Sequence, residues 1–250
     1  LPVTKFKLTW PEKTVLSRGA FEIVRILRKA GFEAFIAGGA VRDALLKRPI
    51  AEIDIATSAR PKDVKRLFKK TIPTGEKHGT VTVFPLPQSL PQGEGKKKSK
   101  LFLPPGGGGK ERGYEVTTFR AEGPYRDHRH PSKVRFLKTA EEDAKRRDFT
   151  VNALFYDPET KLVIDYIDGI ADISHRRIRF IGKAEDRIWE DALRMLRAVR
   201  FATVLRFDLS REAEKAVQKY AKLITKISAE RIKVELDKVL LDKRASVGFG

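Results

Sequence analysis

Apolar and polar positions alternate along the chain in short segments of two different periods. Between 20 and 29 the apolar residues Phe21, Ile23, Val24 and Leu27 recur at helical spacing, and the pattern closes at Gly31. An apolar run over 32–37, short enough for a buried strand, comes next. Gly38-Gly39 interrupts it and helical spacing resumes over 41–46 until Pro49, so the stretch reads as strand, glycine turn, helix. The pattern then predicts strands at 52–56 and 78–84 around a helix at 61–70 that opens on Pro61. Strand rhythm returns at 114–119 and 162–166, the latter followed by an Asp168-Gly169 turn, with a helix over 140–154 between them. From 186 onward only helices are predicted, at 188–201, 212–222 and 229–241. No internal repeat is visible. These elements predict an α+β chain, a mixed-sheet part over 1–180 followed by an all-α part over 181–250.

Two segments break the rhythm. Residues 85–113 carry Pro85, Pro87, Pro91, Pro104 and Pro105, the run Lys96-Lys97-Lys98 and four glycines from Gly106 to Gly109. Strand pattern stops just before them and resumes just after, which predicts a β-hairpin whose tip holds a long flexible insertion with no catalytic task. Residues 123–133 form a second irregular, basic stretch.

Composition adds a partner class. The 250 residues include 52 Lys and Arg against 33 Asp and Glu, a formal net charge of +19. An excess of that size points to a polyanion, nucleic acid first, because each cation laid on a phosphate releases a condensed counterion. With no cysteine there is no disulfide framework, thiolate metal site or cysteine nucleophile, which fits a reducing compartment. No apolar run approaches the roughly 18 residues of a membrane helix, so a soluble, cytoplasmic protein is expected. The chain starts at Leu1 and stops at Gly250 soon after a helical pattern, and is read as a piece of a longer protein. His128 and His130 fall in a polar loop and His78 and His175 stand alone, so no zinc site is expected; Trp10 and Trp189 are read as packing residues.

Four clusters carry candidate chemistry. On a strand, Glu52 and Asp54 share a face while Ile53 and Ile55 take the other, and two adjacent carboxylates suit a hard cation such as Mg²⁺. In 37–43, Gly38 and Gly39 let the main chain approach a ligand, with Arg42 in the first helical turn as a fixed positive charge. The turn and the carboxylates fall on consecutive strands, which would set a triphosphate beside its metal. In 190–201, Asp191, Arg194, Arg197 and Arg200 recur every three residues, so that one helix would carry Asp191 beside Arg194 and a drifting stripe of arginines whose mutual repulsion a polyphosphate would relieve. The fourth cluster is 145–154, Lys-Arg-Arg-Asp-Phe-Thr-Val-Asn-Ala-Leu, with 114–120, Tyr-Glu-Val-Thr-Thr-Phe-Arg, upstream of it.

Taken together, Gly-Gly-x-Val-Arg-Asp, carboxylate-Ile-Asp-Ile-Ala-Thr, Thr-Thr-Phe-Arg, Arg-Arg-Asp-Phe-Thr-x-Asn-Ala and Glu-Asp-x-x-Arg-x-x-Arg-x-x-Arg resemble the bacterial class II tRNA nucleotidyltransferase and poly(A) polymerase family. The motifs span 35–201 in the family's order, and the helices to about 245 are similar to its neck. The resemblance implies a polymerase-β-like nucleotidyltransferase head and a helical neck, with the family's further body and tail helices lying beyond this chain. It makes Glu52 and Asp54 the metal ligands, and implies that Mg²⁺ activates the RNA 3′-hydroxyl and braces the phosphates. Gly38, Gly39 and Arg42 match nucleotide contacts, Arg120, Arg147, Arg197 and Arg200 match phosphate or sugar sites, Asp148 is a further catalytic carboxylate, and Glu115 could add another. Asp191 and Arg194 would imitate Watson–Crick pairing to C or A, so that ATP and CTP are chosen without a nucleic-acid template and CMP and AMP are joined to the tRNA 3′ end. Glu52 departs from the family, which usually has Asp there, and the 85–113 insertion is unusual for it. Related poly(A) polymerases tend to carry Arg-Arg-Phe where this chain has 75–80, which leans the reading toward tRNA. CC-adding, A-adding and poly(A) activities stay open, as does a non-catalytic RNA-binding relative.

Overall fold

The computed structural model describes residues 3–11, 14–84, 113–122 and 134–241. In chain order the first half gives β1 (Thr4–Lys7), α1 (Val15–Lys29), β2 (Ala34–Ala37), α2 (Gly39–Leu45), β3 (Asp54–Thr57), α3 (Pro61–Leu67), β4 (Thr71–Gly75), β5 (Thr80–Val83), β6 (Tyr114–Thr118), β7 (Arg120–Glu122) and β8 (Val134–Phe136). The second half gives α4 (Ala140–Arg146), β9 (Phe155–Asp157), β10 (Leu162–Asp165), α5 (Gly169–Ser174), β11 (Arg177–Ile178), α6 (Ala184–Glu190), α7 (Leu193–Leu205), β12 (Asp208–Leu209), α8 (Arg211–Tyr220) and α9 (Ala229–Leu240).

Eight strands form one mixed sheet in the order β1-β10-β9-β2-β3-β6-β5-β4. Every neighbouring pair in it is antiparallel except β3 and β6, which run parallel. Strand alternation divides its side chains between two cores. Ile36, Ile55, Val116 and Tyr156 face α1, whose Ile23, Val24 and Leu27 are fully buried, while Ala37, Ala56 and Phe155 face Ala140 and Ala144 of α4. Helix α1 starts where the Thr14 hydroxyl accepts the Ser17 N–H, and α4 where Thr139 accepts from Glu142. Trp10 is buried against Tyr156 and Phe21, whereas Trp189 is 47% exposed and meets Tyr220 edge-on.

The α+β order of a mixed sheet before a helical region is as expected, and β5 and β6 are the predicted hairpin, paired from Val83↔Tyr114 onward. Its tip, and the stretch 123–133 between β7 and β8 that includes His128 and His130, lie outside the described residues. Four expectations change. Strand β3 begins at Asp54, so Glu52 precedes it, although Ile53 remains buried and Glu52 exposed as alternation requires. The helix predicted over 140–154 ends at Arg146: Arg147 is extended (φ −63°, ψ 167°) and returns its guanidinium to Asp143, while Phe149 and Val151 turn into the helical region's core. The helix predicted over 188–201 is two helices, because Asp191 takes φ −148°, ψ 107° and spends its carboxylate on the Leu193 N–H, a competition with helix typical of Asp. The C-terminal region is not purely helical either, since β12 pairs parallel with β11.

A third core, around Ile188, Met195, Ala198 and Phe201, takes in Phe149, Val151, Ile178 and Phe180 from the sheet side. The predicted seam near 180 is therefore crossed by a shared core. Phe149 has its ring 4.8 Å from that of Phe180 and 5.5 Å from that of Phe201. Asp143 is buried between Arg146 and Arg147, at 2.7 and 2.9 Å. Burial pushes its carboxyl up, but the two guanidiniums outweigh it and hold the pKa below the ordinary value.

Two outcomes follow for stability. Phe149→Ala removes the ring that joins the two sides and costs about 3–5 kcal/mol in denaturant unfolding. A folded-state pKa below the unfolded one means that the contribution of Asp143 is complete above the unfolded value and is lost as pH falls through the folded one. An acid titration of unfolding free energy should therefore be shallower in Asp143→Asn than in the parent chain.

Candidate active site

Where β2 leaves the sheet, Gly38 turns the chain with φ +74°, a conformation that favours glycine, and α2 begins at Gly39. Arg147 constrains the same point: a Cβ on Gly38 would lie 3.2 Å from its terminal nitrogen. Because β2 and β3 are antiparallel and Ala37 sits opposite Asp54, the end of β2 with its glycine turn abuts the start of β3. On the other side Ile55 sits opposite Val116 of parallel β6, which brings Glu115 abreast of Asp54. The glycine turn and the carboxylates thus meet through strand register alone.

These groups floor a cleft of about 810 Å³ whose other wall is the helical region. Gly38, Gly39, Arg42, Glu52, Asp54, Arg147, Asp148, Asp191, Arg194, Arg197 and Arg200 all line it. Arg120 does not. It lies on β7, in a separate two-stranded sheet, and its guanidinium donates to the carbonyl of His78, a residue of the cleft, so it stands behind the cleft rather than in its lining. Sequence reasoning missed His78, Asn152, Arg231 and Lys238, which also line the cleft. His78 and Lys238 had no pattern to mark them, while Asn152 lay inside a motif already noted.

Charge is arranged unevenly. On the sheet side Glu52, Asp54 and Glu115 are exposed to the cleft and make no ion pair with any other described residue. Asp54 titrates near 6: enclosure by protein raises it first, then the charges of Glu52 and Glu115, with Arg147 pulling the other way. On the helical side the arginines are already compensated. Arg194 bonds Glu190 and the Arg187 carbonyl, Arg197 bonds Asp148 at 2.5 and 2.8 Å, and Arg200 reaches Glu235 at 2.5 Å. The guanidiniums of Arg42, Arg197 and Arg200 also gather round one ring, Phe201, at 5.3, 5.5 and 3.9 Å from its centre. The expected repulsion within the stripe is therefore offset by the protein itself.

Three further features of the predicted site have partners of their own in the fold. Arg42 is 8% exposed and is spent on Asp43 and Asn152, so it holds the glycine turn rather than offering a free charge. Asp148 is not a spare carboxylate. Its Oδ2 takes two bonds from Arg197 and its Oδ1 accepts the Phe149 N–H, and although burial pushes its pKa up, Arg197 holds it below the ordinary value. Asp191 and Arg194 are not partners one step apart on a helix. They flank the break between α6 and α7, joined by the Arg194 N–H to the Asp191 carbonyl at 3.0 Å, with both side chains turned to the cleft.

No three His, Asp or Glu side chains among the described residues converge closely enough to hold a metal alone. The donor set nevertheless fits a divalent ion. Glu52 and Asp54 are hard oxygen donors at the cleft floor that make no ion pair with any other described residue, and Mg²⁺ typically takes one or two carboxylates and completes its shell from phosphates and water.

The fold and this cleft are those of a known group. The chain belongs to the family described as "Poly A polymerase head domain", which matches residues 34–179, and residues 206–250 match "Probable RNA and SrmB- binding site of polymerase A". Among similar proteins, a CCA-adding enzyme of Lactobacillus johnsonii is 46% identical over 220 residues, covering 88% of this chain and 49% of that protein. One of Ligilactobacillus salivarius is 44% identical over 230 residues, covering 92% and 51%. The crystal structure of the Bacillus stearothermophilus CCA-adding enzyme in complex with CTP superposes with a TM-score of 0.77 at 40% identity, over 94% of this chain and 51% of that one. The chain spans about half the length of the relatives it matches. No helix among the described residues is long and apolar enough to cross a membrane.

The crowding at Asp54 has a thermodynamic signature. An acid whose pKa is raised in the folded state weakens the fold at pH above that value, so Asp54→Asn should raise the melting temperature at pH 7.5 in the presence of a chelator. The gain should shrink as pH falls through about 6, and melting curves across that range are the check.

Proposed function

We propose that the chain is the nucleotidyltransferase part of a template-independent enzyme that adds CMP and AMP, from CTP and ATP, to the 3′ end of tRNA and releases pyrophosphate. The observation that carries the reading is the convergence, in one cleft, of a glycine turn, two carboxylates that pair with no described cationic side chain and a set of arginines at the helical wall. Its similarity to CCA-adding enzymes, one of them solved with CTP, supports it.

Glu52 and Asp54 would hold Mg²⁺, which when bound supplies positive charge to the phosphate oxygens and to the attacking 3′-hydroxyl. Nucleotidyltransferases of this family generally use divalent ions. The remaining work falls to this chain's own side chains. Arg42, tied to Asn152, and Arg147, tied to the Asn152 carbonyl, keep the glycine turn open toward the carboxylates, so the triphosphate can lie along main chain rather than against a Cβ. Arg197 and Arg200, pre-positioned by Asp148 and Glu235, keep their charge at the opposite wall without having to be ordered by the substrate. Asp191 accepts from the exocyclic amine of C or A, and Arg194 donates to the neighbouring ring acceptor; G and U present the reverse pattern. Glu52 in place of the family's usual Asp keeps a carboxylate lining the cleft beside Asp54. With tRNA, CTP and ATP as its substrates the protein would work in the cytoplasm. We read residues 1–180 as the head domain and 181–250 as the neck.

Extension of tRNAs that end before the CCA, after CC and after CCA tests the reading. Mg²⁺-dependent addition of C and A with a stop at CCA is expected; a stop at CC, a single A or a long A tract would identify the CC-adding, A-adding or poly(A) relative. No extension by the enzyme at any metal concentration would leave an RNA-binding protein. Asp54→Asn should lower the rate about a thousandfold, the equivalent of several kcal/mol of transition-state stabilisation. Glu52→Asp should shift the metal requirement to lower Mg²⁺.

A further inference from the structure

Asp191 lies in a break between two helices, where no helical geometry orients its side chain. Within the break its Oδ1 accepts the Leu193 N–H at 3.1 Å, a single bond that leaves Oδ2 and the rotation of the group to a partner outside it. The Arg231 guanidinium, from α9, meets both carboxylate oxygens at once, Nη1 to Oδ1 at 3.2 Å and Nη2 to Oδ2 at 2.7 Å. Both partners are largely shielded, with side chains 26% and 18% exposed. A planar two-bond fork of this kind sets the rotation of a carboxylate as well as its place. One helical turn further along α9, the buried Glu235 takes Arg200 at 2.5 Å and stands 3.7 Å from Arg197. One face of α9 therefore grips the segment that reads the base at both ends, Asp191 at its start and Arg200 about two turns into α7.

We propose that Arg231 is a specificity-determining positioning residue: it orients Asp191 so that the carboxylate presents an acceptor to the amino group of C or A, with Glu235 keeping α9 in register against α7. The inference rests on the reading of Asp191 as a base-contacting group. It adds a residue 40 positions away that touches no base and yet decides how sharply bases are told apart. The fork also explains why the helix can break at Asp191 without the side chain becoming free.

Titration calorimetry of the chain with CTP, ATP, UTP and GTP in Mg²⁺ tests this without requiring tRNA. The readout is the ratio of dissociation constants for UTP over CTP and GTP over ATP, which a general loss of folding leaves unchanged because it scales all four alike. Arg231→Ala should reduce the ratio about tenfold, the scale of one lost charged hydrogen-bond pair. Arg231→Lys, which restores the charge but not the fork, should recover only part of it, and also serves if the alanine variant folds poorly. Parent-like ratios in Arg231→Ala, or four affinities falling in equal proportion, would overturn the proposal provided Asp191→Ala loses discrimination. If Asp191→Ala itself discriminates like the parent, the base-reading role fails and the proposal falls with it.

Discussion

Asp148 and Arg197 form the contact on which the rest of the site depends. Asp148 follows α4 on the sheet side, Arg197 lies mid-helix in α7, and the two meet at 2.5 and 2.8 Å inside the cleft wall. A buried ion pair adds little net stability, since desolvation offsets much of the attraction, but it penalises any arrangement in which either charge loses its partner. Here that penalty falls on displacement of the helical region relative to the sheet. Phe149, the next residue, enters the core that both share, so charge and packing act at the same place.

The cleft then separates its charges by wall. Arginines at the helical wall are matched in advance by Glu190, Asp148 and Glu235, and they group around Phe201 at a spacing that would otherwise be repulsive. Glu52, Asp54 and Glu115 at the sheet wall have no ion pair with another described residue, and Asp54, enclosed by protein and beside the other two carboxylates, has a raised pKa. Preorganised cations and an uncompensated anionic floor are different solutions to one task. Under the proposed function, the first would minimise reordering when a polyphosphate arrives, and the second would keep affinity in reserve for a metal.

Local chemistry was legible wherever the strand register or a turn was the whole cause. Glycine at 38 and alternation from Ile53 to Ile55 sufficed to put the turn and the carboxylates side by side, because adjacent antiparallel strands must meet end to start. Spacing misled where it was read as continuous helix. The three-residue recurrence from Asp191 to Arg200 is real, but the helix begins only after Ala192, and the Asp191 carboxylate accepts the Leu193 N–H and pairs with Arg231 rather than Arg194. The position of Arg120 outside the cleft lining has a related cause: β7 leaves the main sheet, and no periodicity records which sheet a three-residue strand joins.

By itself the sequence determined the alternation of strands and helices, the glycine turn beside two carboxylates and the excess of positive charge, since each depends on residues near one another in the chain. Only the tertiary structure decided which charges are spent and which are free. Arg197 finds Asp148 at a separation of 49 residues, Arg200 finds Glu235 at 35 and Asp191 finds Arg231 at 40. Those pairings depend on how α7 and α9 lie against each other and against the sheet, a matter of packed surfaces that no local spacing encodes.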